Sequence, residues 1–467
     1  MKTNKARPPK GRIKILFLSA EIAPLAKVGG LADVLGALPK ALDKEACEIR
    51  MCLPYYGCID TKKYPLRLIS NNLSVRLNKK IEKFSLFCAC LPGTRIPVYL
   101  IKHPFFSSKK VYSSGKKNNE SVNVRRFAFF TRAVLLAMKF IFFQPGIIHA
   151  HDWHTALAPA LVKEMNKKNR FYARTKILYT IHNLANQGKA GNKNFMAEGI
   201  LGANLINTVS SAYAKEILTP EFGAGLEKKL LKRKKSLSGI LNGIDTAEYS
   251  PQADPRLQYH FTLDSIHEKV KNKLFLQKKL GWKPDKRTCL AGIVTRLTGQ
   301  KGIELFTEEF INQINAIKKP WQIVFLGTGE KRYENQLKKL AKKYPKNIKS
   351  VIGFDEKLAR QIYAGSDIFL VPSKFEPCGL TQMIAMRYGS VPIVRATGGL
   401  KDTVNSSVGF SFKDYTSEAL AHALIKALDM YYNNPKQWKK LQINGMKKDF
   451  SWKKSAKEYL KLYKKLA

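Results

Sequence analysis

Acidic residues are scarce in this sequence: 35 Asp plus Glu stand against 82 Lys plus Arg over 467 residues, a formal net charge of +47. Such a field attracts anions. The cations are nevertheless spread along most of the chain, and no zinc-finger, RNP or KH pattern accompanies them. A solvated basic surface is therefore expected rather than a nucleic-acid partner, although an anionic small substrate would still gain from it. Long apolar runs are missing too. The nearest, Phe127 to Phe143, is broken by Arg132 and Lys139, so nothing approaches the roughly 20 residues of a membrane helix and no membrane partner is expected. Cysteine is limited to Cys47, Cys52, Cys58, Cys88, Cys90, Cys289 and Cys378. The number is odd and no two have the C-x-x-C spacing of a structural zinc site, which makes a reducing cytoplasm the expected compartment. The opening MKTNKARPPKGR is basic but lacks a secretory cleavage site and is short for a transit peptide.

What is present describes an enzyme-sized globular protein. A chain of 467 residues exceeds the ~250 to 300 at which single cores stop growing, so two large domains are expected. In the first half, Ile13 to Leu18, Val98 to Lys102, Ile147 to Ala150, Ile177 to Ile181 and Leu205 to Val209 read as strands separated by helical stretches. The second half repeats the theme with Leu290 to Val294, Gln322 to Leu326, Ile348 to Ile352, Ile368 to Val371 and Val391 to Val394. This alternation predicts two α/β domains, each a Rossmann-like parallel sheet covered by helices. Between them lie the Lys-rich stretch Glu227 to Lys235, then Asn242-Gly243-Ile244-Asp245 and the polar segment Thr246 to Pro255. The boundary is placed there, giving domains of 1–241 and 242–467. From about Asn434 the pattern is helical, and Trp438, Leu441, Met446, Trp452, Tyr459, Leu460 and Tyr463 form apolar surface expected to cover the domains or cross between them.

Two loops carry candidate chemistry. Lys27-Val28-Gly29-Gly30 follows the first strand and opens a helix, where glycine amides can approach an anion; the alternative is a plain tight turn. After the first strand of the second half comes Arg296-Leu297-Thr298-Gly299-Gln300-Lys301-Gly302. Arg296 has a planar fork of donors and Lys301 a point charge, a pair suited to a diphosphate leaving group. Two such loops at carboxyl ends of sheets predict a ligand held in an interdomain cleft. Asp152, Trp153 and His154 follow another predicted strand, as do His182 and Asn183, so both sets stand where parallel-sheet sites are built. His149, His151 and His154 lack the carboxylate partners and spacing of a zinc site, so support and acceptor roles are preferred and no metal is expected.

The segments KVGGLADV (27–34), HAHDWHTALAP (149–159), TIHNLANQG (180–188), TVSSAYAKEILTPEFGAGL (208–226), LNGID (241–245), TRLTGQKG (295–302), FEPCGLTQ (375–382) and TGGLKDTV (397–404) together resemble the signature set of bacterial glycogen synthases and plant starch synthases. They fall in family order across residues 13 to 455. The resemblance implies the GT-B fold, two Rossmann-like domains facing an interdomain cleft, and transfer of glucose from ADP-glucose to an α-1,4-glucan with retention of configuration. UDP-glucose is the second choice of donor, and no cofactor is implied. By the family pattern Lys27, Gly29 and Gly30 meet the donor, Arg296 and Lys301 its phosphates, and Glu376 the hydroxyls of its glucose. Asp152 and His182 stand close to the reacting sugar. Gly379, Leu380 and Thr381 line the sugar and phosphate side, Phe354 stacks on the base, and Asn183, Asn242, Tyr363 and Cys378 complete the substrate-binding set. TGGLKDTV reads as a packing turn more than a contact.

Three positions depart from the pattern. Val28 stands where a Thr is usual, Phe354 where a Tyr is usual, and the stretch from His182 to Thr208 is shorter than the family's and lacks its aromatic-rich segment, which bears on acceptor choice. No carboxylate pair is arranged for double displacement; the implied route is departure and attack on the same face of the sugar. The competing expectations are a related GT-B transferase with another acceptor, or a silent basic protein that binds glucan or nucleic acid.

Overall fold

The computed structural model describes residues 11–45, 47–77, 80–112 and 119–467; the basic segment read above as neither signal nor transit peptide lies, up to residue 10, outside them. The chain divides into two compact units, Met1–Gly243 with Trp452–Ala467, and Ile244–Ser451.

The first unit is built on a nine-stranded sheet. Its strands are β1 (Ile13–Leu18), β2 (Cys47–Pro54), β3 (Arg67–Leu77), β4 (Lys80–Cys90), β5 (Pro97–Lys102), β6 (Ile147–His151), β7 (Lys176–Ile181), β10 (Leu205–Thr208) and β11 (Leu237–Gly239); β8 (Lys189–Ala190) and β9 (Lys193–Asn194) form a separate ribbon. The order is β11-β10-β7-β6-β1-β2-β5-β4-β3, parallel except that β4 runs antiparallel to both its neighbours. Central strands are mostly apolar because helices cover both faces of a parallel sheet, and Ile15 to Leu18 are fully buried. By contrast β3 and β4 mix buried and exposed positions along their length. That is the signature of an antiparallel pair with one face in water.

Helix Asn119–Phe140 buries Phe127, Phe129, Phe130 and Val134. It closes with the N–H of Phe143 bonded to the carbonyl of Met138 (2.9 Å) and that of Phe142 to Lys139 (3.1 Å), a Schellman motif. The left-handed position at φ 54° is Phe142, with its ring 89% exposed, where glycine is usual. Helix Trp452–Leu466 belongs to this unit and turns Trp452, Tyr459 and Tyr463 into its core. Among the described residues no helix is long and apolar enough to cross a membrane.

The second unit holds a six-stranded, fully parallel sheet of β12 (Cys289–Val294), β13 (Trp321–Gly327), β14 (Ile348–Ile352), β15 (Ile368–Val371), β16 (Val391–Arg395) and β17 (Phe410–Phe412), in the order β14-β13-β12-β15-β16-β17. Its core joins Ile293, Phe306, Phe310, Phe325 and Leu370 to Trp438 and Leu441 of helix Pro435–Lys447. The segment that enters the unit is fastened by Arg360, only 1% exposed, which pairs with Glu248 (2.7 Å), Glu356 (3.2 Å) and Asp254 (3.7 Å) and lies 3.7 Å from the ring centre of Tyr249.

Candidate active site

Strand order shows where each unit can build a site. In the first, the chain runs from β1 outward through β2, then returns to add β6 on the other side of β1; in the second, β13 and β14 lie on one side of β12 and β15 on the other. Each is a topological switch point, and ligands of open α/β sheets bind beyond the carboxyl ends of such strands. The sequence-predicted residues Asp152, Arg296, Lys301 and Glu376 all follow the strands that flank these two points.

In the first unit β6 delivers His149, His151 and Asp152, and β7 delivers Thr180, His182 and Asn183. Asp152 takes the left-handed conformation (φ 53°), which an Asp tolerates better than most residues. Its Oδ1 accepts the backbone N–H of His182 at 2.7 Å and of Asn183 at 3.3 Å. The side chain is 8% exposed. Burial raises its pKa to about 7, against the lowering pull of those two amides, with the Glu21 carboxylate adding to the rise. His182 Nε2 lies 3.0 Å from His151 Nδ1. Burial holds His182 neutral, pushing it down to about 3, and pushes His149 and His151 well below the usual histidine range.

Behind these groups a polar chain fixes the rings. Asn207 donates its amide to Thr208 O and to the Tyr459 hydroxyl (3.2 Å each), so its Oδ1 accepts from Thr180. Thr180 Oγ1 must then accept from His149 Nε2 (2.6 Å), which leaves His149 Nδ1 to accept from the Tyr463 hydroxyl (2.8 Å). Residues of the C-terminal helix thus set the tautomer of a histidine at the site.

The glycine loop after β1 differs from its sequence reading in one respect. The amides of Val28 and Gly29 are taken by Glu21 Oε2, at 2.6 and 2.9 Å, and Tyr112 donates to Glu21 Oε1. Gly30 is the first residue of helix Gly30–Asp43, and Lys27 pairs with Asp33 at 2.6 Å. Glu21 and Tyr112 escaped sequence reasoning. A lone Glu after a strand gives no sign that it will fold back onto a loop seven residues ahead. Asn242 is buried with its Oδ1 unbonded.

In the second unit Lys301 Nζ meets Glu376 Oε2 at 2.5 Å, and Ser373 Oγ donates to the same oxygen at 2.9 Å. Gly302 makes the approach possible. It sits at φ 72°, and a Cβ there would lie 2.1 Å from the carbonyl oxygen of Pro372. Arg296, five residues before Lys301, is exposed, and Leu380 immediately precedes helix Thr381–Arg387. The 376–379 loop is held from beneath, by Gly399 N–H donating to Glu376 O (3.0 Å) and Gln382 Nε2 to Gly379 O (2.9 Å) and Cys378 O (3.2 Å). Residues 397–404 thus pack against the loop from the side of its backbone. Phe354 is 87% exposed, whereas the Tyr363 ring is 4% exposed and packs on Phe369 and Tyr388 in the core. Among the described residues no group of three or more His, Cys, Asp or Glu is placed to hold a metal.

Residues 14–232 match the starch synthase catalytic domain and residues 273–445 the glycosyl transferases group 1 model. A glycogen synthase of Thermosipho melanesiensis is 40% identical over an alignment of 484 positions that covers 97% of this chain and 99% of the relative. One of Streptococcus mutans is 41% identical, covering 97% and 100%. The solved catalytic domain of starch synthase IV from Arabidopsis thaliana, bound to ADP and acarbose, superposes with a TM-score of 0.88 at 32% identity, covering 97% of this chain and 99% of that one. A sucrose-phosphate synthase of Thermosynechococcus elongatus shares the fold at 16% identity (TM-score 0.63). Full-length similarity of this degree, on a fold whose switch points carry these residues, makes the chain a member of the glycogen and starch synthase family of GT-B glycosyltransferases, with glycogen synthase as its function.

Proposed function

We propose that the enzyme takes glucose from ADP-glucose and adds it, with retention, to the non-reducing end of an α-1,4-glucan. The observation that carries this reading is the Lys301–Glu376 pair at the switch point of the second unit, with exposed Arg296 on the same loop. Arg296 and Lys301 would receive the diphosphate and stabilise the charge that develops as it leaves, on the order of 3 kcal/mol per well-placed donor. Glu376, its carboxylate oriented by Lys301 and Ser373, would accept from glucose hydroxyls. Gly379, Leu380 and Thr381 would line the sugar and phosphate side, with Cys378 and Tyr363 acting through packing. Phe354 is exposed, as a base-stacking ring must be before the nucleotide arrives. From the first unit, Lys27, Gly29, Gly30, Asn183 and Asn242 would meet substrate. Asp152 and neutral His182 would stand against the transferred sugar. The leaving diphosphate would itself help remove the acceptor proton. That a similar starch synthase was solved with ADP supports the choice of donor, and seven free cysteines support a cytoplasmic setting.

A second reading, the same chemistry on a different acceptor, rests on one observation. The alignment with the Thermosipho enzyme has 484 positions, more than the 467 residues of this chain, so that relative has residues missing here. In this chain the stretch between His182 and Thr208 is closed by the β8–β9 ribbon, whose two-residue turn has Gly191 at φ 55°. Transfer of labelled glucose from ADP-glucose and, separately, UDP-glucose onto glycogen and onto short maltooligosaccharides tests both readings. Incorporation from ADP-glucose that Glu376→Gln abolishes supports the first. Folded protein that labels neither acceptor from either donor overturns it.

A further inference from the structure

His151 was expected only to support the site or meet the acceptor, and the proposed function gives it no task, yet it is buried against the ring that the proposed function sets beside the sugar. We infer that His151 is a positioning residue for transfer: its Nδ1–H donates to His182 Nε2 and thereby places the proton of His182 on Nδ1, facing substrate as a hydrogen-bond donor. The inference rests on the reading that His182 stands against the transferred glucose.

The argument is one of counting protons. Two neutral imidazoles 3.0 Å apart share one N–H, so one ring donates and the other accepts. Suppose His182 donates through Nε2. The proton of His151 then lies on its own Nε2, which is buried without a partner. An orphaned N–H in the interior is rare, and it costs the full desolvation penalty of the group. Suppose instead that His151 donates through Nδ1. Its Nε2 is then a bare lone pair in apolar surroundings, a less uncommon defect, and no N–H is orphaned. The ring is held in place in either case. Phe17 stacks on His151 (centroids 5.7 Å, 11°), and the His149 ring lies 4.1 Å away, itself locked by Tyr463 and Thr180. In the second arrangement His182 has no proton to pass through Nε2. It orients a sugar hydroxyl through Nδ1–H and takes no part as acid or base.

The test uses the full-length protein with 15N-labelled histidine, His182 being identified by the signal lost in His182→Asn. His182 protonated at Nδ1 in the wild type is expected; protonation at Nε2 overturns the inference and needs no further variant. In kinetics, His151→Leu should lower kcat about tenfold, the worth of one buried hydrogen bond, and move His182 toward a mixture of tautomers. His151→Asn, whose amide nitrogen falls near the Nδ1 position, should recover most of that loss. A His151→Leu enzyme with reduced kcat but an unchanged His182 tautomer would show a merely structural role and overturn the inference. If His182→Asn transfers glucose at the wild-type rate, the underlying reading of His182 fails, whatever the tautomer.

Discussion

Asp152 is the residue whose removal should separate stability from activity. Its carboxyl is raised from an ordinary 3.8 to about 7 by burial. At about 1.36 kcal/mol per unit, holding it ionised in the folded protein costs roughly 4 kcal/mol. The sign follows from the proton count. Between about pH 4 and pH 7 the folded chain binds a proton at this site that the unfolded chain does not, so stability falls as pH rises through that window and the full cost is present above it. About 2.5 kcal/mol of the total develops between pH 5 and pH 8. Asp152→Asn keeps an oxygen to accept the amides of His182 and Asn183 and removes the ionisation. The variant should gain stability over wild type by about 2.5 kcal/mol more at pH 8 than at pH 5, and yet transfer almost no glucose. Urea unfolding of both proteins at the two pH values measures the difference. The subtraction also cancels the buried neutral histidines, which act oppositely: His149, His151, His154 and His182 are depressed by burial, so their contribution is lost as pH falls below about 6.5. A gain independent of pH, or a loss at both pH values, would refute the reasoning.

Three further outcomes follow from other parts of the molecule. Arg360→Ala should destabilise the second unit by about 3 kcal/mol in denaturant, because it removes a buried guanidinium that ties Glu248, Tyr249 and Asp254 of the entering segment to the helix Glu356–Gly365, leaving Asp254 with Arg256 and Tyr388. Phe354→Ala should leave the unfolding free energy in urea within about 0.5 kcal/mol of wild type, since the ring is exposed, while raising KM for the nucleotide sugar roughly tenfold through lost stacking. Phe142→Gly should stabilise by about 1 kcal/mol in thermal or urea unfolding, because it relieves a left-handed conformation at a helix end where only glycine is free of the Cβ penalty.

The fold was legible in most strands that are buried on both faces. Ile13 to Leu18, Ile177 to Ile181 and Ile368 to Val371 are runs of apolar residues, broken only by Lys14 and Thr180, because helices cover them above and below, and each lies in a strand of the structure. What escaped is β2, a central strand whose Glu48 and Arg50 interrupt its apolar residues, and the sheet margins. The amphipathic β3 and β4, and the three-residue β11 and β17, have neither the length nor the apolar density to stand out. Strand order was equally invisible, and it is what turns two separate loops into two switch points. In the site, residues at strand ends could be read directly, as with Asp152 and His182. Partnerships made by folding back could not: Glu21 on the glycine loop, or Tyr463 reaching His149 across 314 residues of sequence. Tyr363 shows the converse, a ring expected at substrate that the helix Glu356–Gly365 turns into the core.

The central claim is tested most directly by the linkage made. Protein supplied with ADP-glucose labelled in its glucose and with glycogen should yield glucan whose label is released as maltose by an exo-acting, α-1,4-specific amylase, and Glu376→Gln should yield none. Label that stays free, or glucan label that this amylase cannot release, would contradict the account.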